Sequence, residues 1–120
     1  MNKILIVDDE PNIVMTLEYA FKKKGFDIFI ARDGDEAIEM IQSFQPDLVL
    51  LDIMMPKVDG FEVLEFVKSD ERFNTIKVIF MSAKNKLTDI EKGIEMGASD
   101  YITKTFSVKK VIKKIEHILK

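Results

Sequence analysis

The chain has 120 residues, of which 47% are apolar and 32% charged, enough for one domain (residues 1–120) with a real core and too ordered a composition for a disordered segment. It has no Cys and a single histidine, His117, which excludes disulfides, thiolate metal sites, Cys nucleophiles and His-rich metal sites. No apolar run approaches the ~20 residues that cross a bilayer, and Met1-Asn2-Lys3 leads into a short apolar stretch ending at Asp8-Asp9, which is no signal peptide. The expected location is cytoplasmic. The net charge of −3 conceals a basic tail, because residues 104–120 hold six Lys and one Glu. An acidic chain is a poor nucleic-acid binder.

Ile4-Leu5-Ile6-Val7 reads as a buried strand. Residues 11–24 then place Ile13, Val14, Leu17, Ala20 and Phe21 on one helix face, with Pro11 suited to the first turn and Gly25 to the stop. Phe26 to Ala31 is a second strand, and Asp27 points to an edge position. Asp35 to Phe44 is a short helix with Ala37, Ile38 and Ile41 inward, broken by Pro46. Leu48-Val49-Leu50-Leu51 is the third strand; a loop with Pro56 and Gly60 leads to a helix carrying Phe61, Val63, Leu64 and Val67. Ile76 to Met81 is the fourth strand, and residues 86–96 are helical with Leu87, Ile90 and Ile94 on one side. Gly97 ends that helix, Ser99 to Thr103 is the fifth strand, and Ser107 caps a last helix to about Leu119. Five strand–helix units in alternation imply an α/β fold, a parallel sheet with helices on both faces.

The first strand ends at Asp8-Asp9, the third at Asp52, the fourth at Ser82 and the fifth near Thr103-Lys104. In a parallel sheet these carboxyl ends share one edge, where open α/β sheets bind ligands. Three carboxylates brought together repel, and each raises its neighbours' pKa unless a cation balances them. Mg²⁺ suits such a site, being a hard ion that needs few protein ligands. A carboxylate beside Mg²⁺ and a Lys is a plausible nucleophile toward a phosphoryl group, with Ser82 adding a hydrogen bond. Each residue alone has a plainer reading. Asp8-Asp9-Glu10 would complement the next helix dipole, Asp52 would cap a loop, Ser82 would cap a helix, Lys104 would be a solvated charge, and Met54-Met55 would be loop packing. Their joint placement at corresponding strand ends favours the site.

Taken in order, Asp8-Asp9, Leu51-Asp52-Ile53-Met54-Met55-Pro56-Lys57-Val58-Asp59-Gly60, Met81-Ser82-Ala83 and Gly97-Ala98-Ser99-Asp100-Tyr101 with Lys104 and Phe106 resemble the receiver domain of two-component response regulators, over essentially the whole chain. The resemblance implies a flavodoxin-like, doubly wound, five-stranded parallel sheet of order 2-1-3-4-5 with five helices, an order that comes with the family and not from the strand pattern alone. It implies Asp52 as phosphoacceptor from a histidine kinase's phosphohistidine. Asp9, Asp52 and the Met54 backbone carbonyl would ligate Mg²⁺, with Asp8 acting through a metal-bound water. Lys104 would pair with a phosphoryl oxygen. Ser82 would swing toward the phosphoryl group and Tyr101 would turn inward behind it, altering the surface of the fourth helix, fifth strand and fifth helix. The chain would then be a self-phosphorylating switch with slow hydrolysis and not an enzyme in the ordinary sense.

One departure stands out: the family usually has a cis Pro after the Lys, and here it is Thr105. A non-proline cis bond costs about 2.5–4 kcal/mol, so the expectation is a trans bond with a shifted loop, or a strained cis bond. In the last helix Val108, Val111, Ile112, Ile115, Ile118 and Leu119 share one face and Lys109, Lys110, Lys113, Lys114 and Lys120 the other, which reads as a solvated amphipathic helix. Of the acid–base pairs through which winged-helix regulators dimerise, only Asp100 with Lys114 is kept, and Lys110 stands where an acid is usual. The expectation is a monomer or a weak phosphorylation-dependent dimer, a stand-alone or excised receiver. Its partners would be a histidine kinase, a histidine phosphotransfer protein in a relay, and a downstream protein, with no nucleic acid or membrane. Three rivals fit less well. A haloacid-dehalogenase-like phosphatase needs a second Asp where Met54 stands, a flavin carrier needs a phosphate loop where Asp8-Asp9-Glu10 would repel one, and a degenerate receiver would lack part of the polar set.

Overall fold

The apolar run Ile4 to Val7 is completely buried, as a strand covered on both faces must be. The computed structural model describes residues 2–55, 58–82, 87–104 and 106–119. Strands and helices alternate along it: β1 (Lys3–Val7), α1 (Pro11–Lys23), β2 (Asp27–Ala31), α2 (Gly34–Phe44), β3 (Leu48–Asp52), α3 (Gly60–Ser69), β4 (Lys77–Ser82), α4 (Leu87–Glu95), β5 (Asp100–Thr103) and α5 (Val108–Ile118). The strands pair in parallel in the order β2-β1-β3-β4-β5, so β2 is an edge strand, as its Asp27 suggests.

Side chains alternate across the sheet with period two and divide the core into two layers. Leu5, Val7, Val49, Leu51, Val78 and Phe80 face α2 and α3, packing with Ala37, Ile41, Val63, Leu64 and Val67. Ile4, Ile6, Leu48, Leu50, Ile79 and Met81 face α1 and α5, packing with Leu17, Phe21, Val111, Ile112 and Ile115. Each such fully buried side chain stabilises the fold by roughly 1.5–3 kcal/mol. Register is therefore strongly specified, because a one-residue slip would exchange the two layers.

The element ends differ from the sequence expectation in instructive ways. The helix expected from Asp35 begins at Gly34, because Asp33 is its N-cap and accepts a hydrogen bond from the Glu36 N–H at 2.9 Å. Ser107 occupies the N-cap position of α5, but its side chain makes no capping hydrogen bond. The stripe Leu87, Ile90, Ile94 does not bury as a unit: Ile90 is buried, whereas Leu87 and Ile94 are exposed. The reason is Gly93, which lies against the Phe80 ring so closely that a Cβ there would stand 2.4 Å from Phe80 Cε2. The helix rests on the sheet through Gly93 and Ile90, which rotates Leu87 and Ile94 outward. Ser82 closes β4 as its last strand residue, and its hydroxyl has no hydrogen-bond partner among the described residues.

Candidate functional site

Parallel pairing brings the carboxyl ends of four strands to one edge. The register sets Val7 beside Leu51, Asp52 beside Met81 and Ser82 beside Thr103. The residues that follow these positions therefore meet, although Asp8 and Lys104 come from near opposite ends of the chain.

Asp8 is fully buried. Its backbone N–H donates to the Ala31 carbonyl at 3.1 Å, and its Oδ1 accepts the Glu10 N–H at 2.9 Å, which folds the β1–α1 corner around the carboxylate. Its Oδ2 is buried with no hydrogen-bond partner among the described residues. Asp52, only 3% exposed, accepts the Met54 N–H on Oδ1 at 3.2 Å and the Lys104 ammonium on Oδ2 at 3.0 Å. Gly60 makes that corner possible: a Cβ there would lie 2.8 Å from both the Asp52 carbonyl oxygen and Ile53 Cα. Lys104 is anchored by its backbone N–H, which donates to the Ser82 carbonyl at 2.8 Å. From there its ammonium reaches Asp52, comes within 3.3 Å of Asp8 Oδ2 and hydrogen-bonds Glu10 Oε1 at 2.5 Å. Asp9 is exposed at the rim.

Burial pushes the Asp52 carboxyl up to about 6, the Lys104 hydrogen bond and charge acting against that and the Asp8 charge adding to it. Burial likewise raises Asp8, against the opposing Glu10 N–H and the Lys104 charge. Burial alone would lower Lys104, but its bonds to Glu10 and Asp52 and the charges of Asp52 and Asp8 together raise it. The site thus sets four carboxyl groups around a single ammonium, with burial working against charge on Asp8 and Asp52.

Asp8, Asp9, Glu10 and Asp52 each offer a carboxylate oxygen, and these oxygens lie within 4.8 Å of one another. All donors are hard oxygens, and the buried Asp8 Oδ2 makes no hydrogen bond among the described residues, only the 3.3 Å ion pair with Lys104. This donor set fits a divalent oxygen-seeking cation of the Mg²⁺ type. Ser82 Oγ is also buried with no hydrogen-bond partner among the described residues, so a donor is left uncommitted at the end of β4, the strand paired with β3.

The structure therefore gathers Asp8, Asp9, Asp52, Ser82 and Lys104. Met54 extends outward with a 63% exposed side chain, and its position offers no second acid. Tyr101 points out at 38% exposure, with the Lys114 ammonium 6.0 Å from its ring centroid. Lys114 is paired with Asp100 at 2.9 Å within the chain, so the pair expected at a dimer contact is satisfied internally. The Lys104–Thr105 peptide, Lys120 and the motif residues Pro56, Lys57 and Ala83 lie outside the described residues. Lys104 nevertheless reaches Asp52. The sequence alone gives Glu10 to the helix dipole; the structure instead turns its side chain to Lys104, and it caps nothing in α1. An acid adjoining the Asp pair is the only signal the sequence holds for that role.

Comparison with known proteins agrees with this geometry. Residues 4–116 match the family model for the response regulator receiver domain. The alkaline phosphatase synthesis transcriptional regulatory protein PhoP of Bacillus subtilis is 39% identical over 118 residues, which are 98% of this chain and 48% of that protein; the chain spans about half the length of this relative. The BeF3-activated N-terminal receiver domain of Klebsiella pneumoniae RstA is 30% identical, with a TM-score of 0.90 over 99% of each chain. The receiver domain of the Francisella response regulator 1452 is 29% identical, with a TM-score of 0.89 over 99% of this chain and 97% of that one. Chemotaxis response regulator CheY4 of Vibrio cholerae, 24% identical and with a TM-score of 0.91 over 98% of each chain, shares the fold.

Proposed function

Since the chain belongs to the response regulator receiver family, we propose that it is a single receiver domain that accepts a phosphoryl group on Asp52. The observation that carries this reading is a nearly buried Asp52 with the Lys104 ammonium 3.0 Å from one oxygen, inside a cluster of four acids. An Asp52 carboxylate oxygen attacks the phosphorus of a histidine kinase's phosphohistidine. The new O–P bond forms as the N–P bond breaks, and the leaving imidazole keeps the electron pair and takes a proton from solvent.

Asp9, Asp52 and the Met54 backbone carbonyl would hold Mg²⁺, with Asp8 acting through a water. The bound ion supplies neutralisation of charge on the phosphoryl oxygens. Lys104 pairs with one of those oxygens, its backbone bond to Ser82 fixing the stem while the ammonium moves. The Ser82 hydroxyl, without a partner among the described residues, is a donor for another. Loss of Ser82 from its resting place leaves room for Tyr101 to turn in from its outward position, which would alter the face formed by α4, β5 and α5. Beside Tyr101 a groove of about 420 Å³, lined by Phe106, Val111, Lys110 and Lys114 among others, offers that face a place for a downstream protein. Lys109, Lys110 and Lys113 are exposed there, in keeping with a solvated helix face. In a relay a histidine phosphotransfer protein would exchange the group with Asp52. The protein would act in the cytoplasm, as a monomer or a weak phosphorylation-dependent dimer.

The test is incubation with acetyl phosphate and Mg²⁺ followed by intact-mass measurement, with Asp52→Asn as control. The expected result is a gain of one phosphoryl group that the substitution abolishes. A gain that survives Asp52→Asn would overturn the assignment.

A further inference from the structure

The shortest contact of the Lys104 ammonium is not with the phosphoacceptor. Nζ lies 2.5 Å from Glu10 Oε1, 3.0 Å from Asp52 Oδ2 and 3.3 Å from Asp8 Oδ2. We propose that Glu10 is a positioning residue for Lys104, a tether on the outer side of the site that holds the ammonium facing Asp52. This rests on the receiver reading above and adds a residue to it.

The two ends of the Lys104 side chain are fixed from opposite sides of the edge. Its backbone is bonded to Ser82 at the β4–β5 side, and its ammonium is bonded to Glu10 at the β1–α1 corner. Glu10 is itself fixed: its N–H is bonded to the buried Asp8, its backbone precedes Pro11 at the start of α1, and its side chain has no capping duty there. A free lysine side chain has many rotamers, and ordering it toward a developing charge has an entropic cost. The Glu10 bond meets that cost before a phosphodonor arrives.

The tether also separates two roles of the ammonium. In this structure it lies against both Asp8 and Asp52, so it neutralises part of the acid cluster. A divalent cation held by Asp9 and Asp52, with Asp8 reached through a water, would compete with the ammonium for Asp8 while the ammonium would have to stay beside Asp52. Glu10 is an anion outside the innermost acids that keeps it there. Glu10 has a half-exposed side chain, 54%, and pairs of that exposure add little to stability. The role is therefore visible in the position of Lys104 and not in the unfolding midpoint.

The experiment has two arms. In ¹⁵N-labelled protein the Lys104 side-chain ammonium signal, assigned by its loss in Lys104→Arg, should be resolved at neutral pH because the ion pair slows hydrogen exchange. Glu10→Gln should accelerate that exchange about fivefold or more, and Glu10→Asp, one methylene shorter, should fall between. In the kinetic arm, with acetyl phosphate at saturating Mg²⁺, Glu10→Gln should lower the maximal phosphorylation rate about three- to tenfold at an unchanged half-saturating donor concentration. In a Lys104→Met background the same substitution should change the rate by less than about 1.5-fold, since there is no ammonium left to place. An ammonium signal absent in the wild type or unmoved by Glu10→Gln, or an equal rate loss in both backgrounds, overturns the proposal. A protein that takes no phosphoryl group but whose Lys104 signal responds to Glu10→Gln refutes the receiver chemistry and leaves the tether standing.

Discussion

Replacing Asp52 by Asn should make the metal-free protein more stable, although it removes the proposed phosphoacceptor. Burial holds the Asp52 carboxyl at about 6 in the fold, against 3.8 for a free side chain. Between those values the folded chain binds more protons than the unfolded one, so stability falls as pH rises through that window and the loss is complete above it. The difference amounts to about 3 kcal/mol at pH 7.5. The Asn amide oxygen can serve only one of the two donors; kept on the Met54 N–H, it leaves the NH2 facing the Lys104 ammonium, which offsets part of what is gained by removing the buried charge. The variant should therefore gain about 1–3 kcal/mol at pH 7.5 without divalent ions, a rise of roughly 3–12 °C in melting midpoint for a domain of this size. At pH 5 the wild type has already taken up much of the proton and the advantage should drop to about half. Added Mg²⁺ should stabilise the wild type more than the variant. Urea unfolding at both pH values, with and without Mg²⁺, measures all of this. A variant less stable than wild type at pH 7.5 in the absence of metal, or an advantage that does not shrink at pH 5, would refute the reasoning.

Lys104→Met removes the cation that lies against Asp8, Glu10 and Asp52. It should cost about 1–3 kcal/mol at pH 8 and clearly less at pH 5, where Asp52, pushed up to about 6, holds much of its proton, as read by paired urea titrations. Gly60→Ala would press a methyl group onto the Asp52 carbonyl and Ile53 Cα. The expected loss is about 1–3 kcal/mol in unfolding free energy, together with slower phosphorylation from acetyl phosphate, because the overpacking displaces the acceptor strand end. Asp9→Asn should behave oppositely: the side chain is exposed, so the unfolding free energy should stay within about 0.5 kcal/mol while calorimetric Mg²⁺ affinity falls about tenfold or more.

The sheet and its order of elements are legible because two periodicities are written plainly. Ile4 to Val7 and Leu48 to Leu51 are unbroken apolar runs of strand length, and α1 and α5 repeat their apolar residues at helical spacing. Asp8, Asp52, Ser82 and Lys104 can be placed because each follows or closes such a run, so locating the strands locates the site. α4 misleads where a neighbour decides: nothing near Gly93 in sequence announces that the Phe80 ring will fill the space of its missing side chain and turn Leu87 and Ile94 outward. Glu10 misleads for a related reason. An acid at the start of a helix has a sufficient local explanation in the helix dipole, and only the arrival of Lys104 from 94 residues away shows that the carboxylate faces elsewhere.

The two apolar layers explain how so unfavourable an edge persists. Asp8 and Asp52 are buried close together, repel one another and are both raised by desolvation, an arrangement that would disperse if it hung on a flexible loop. It cannot disperse here, because Asp8 follows directly on the completely buried Ile4 to Val7 and Asp52 on the completely buried Leu48 to Leu51, and moving either acid outward would drag several core side chains with it. A strand core strong enough to hold two acids in an uncomfortable position leaves them poised for whatever adds positive charge or removes negative charge at that edge. A bound divalent cation would do the first, and a proton on Asp52 does the second. The response proposed for a chemical event at Asp52 would thus originate in the same buried strands that give the domain its stability.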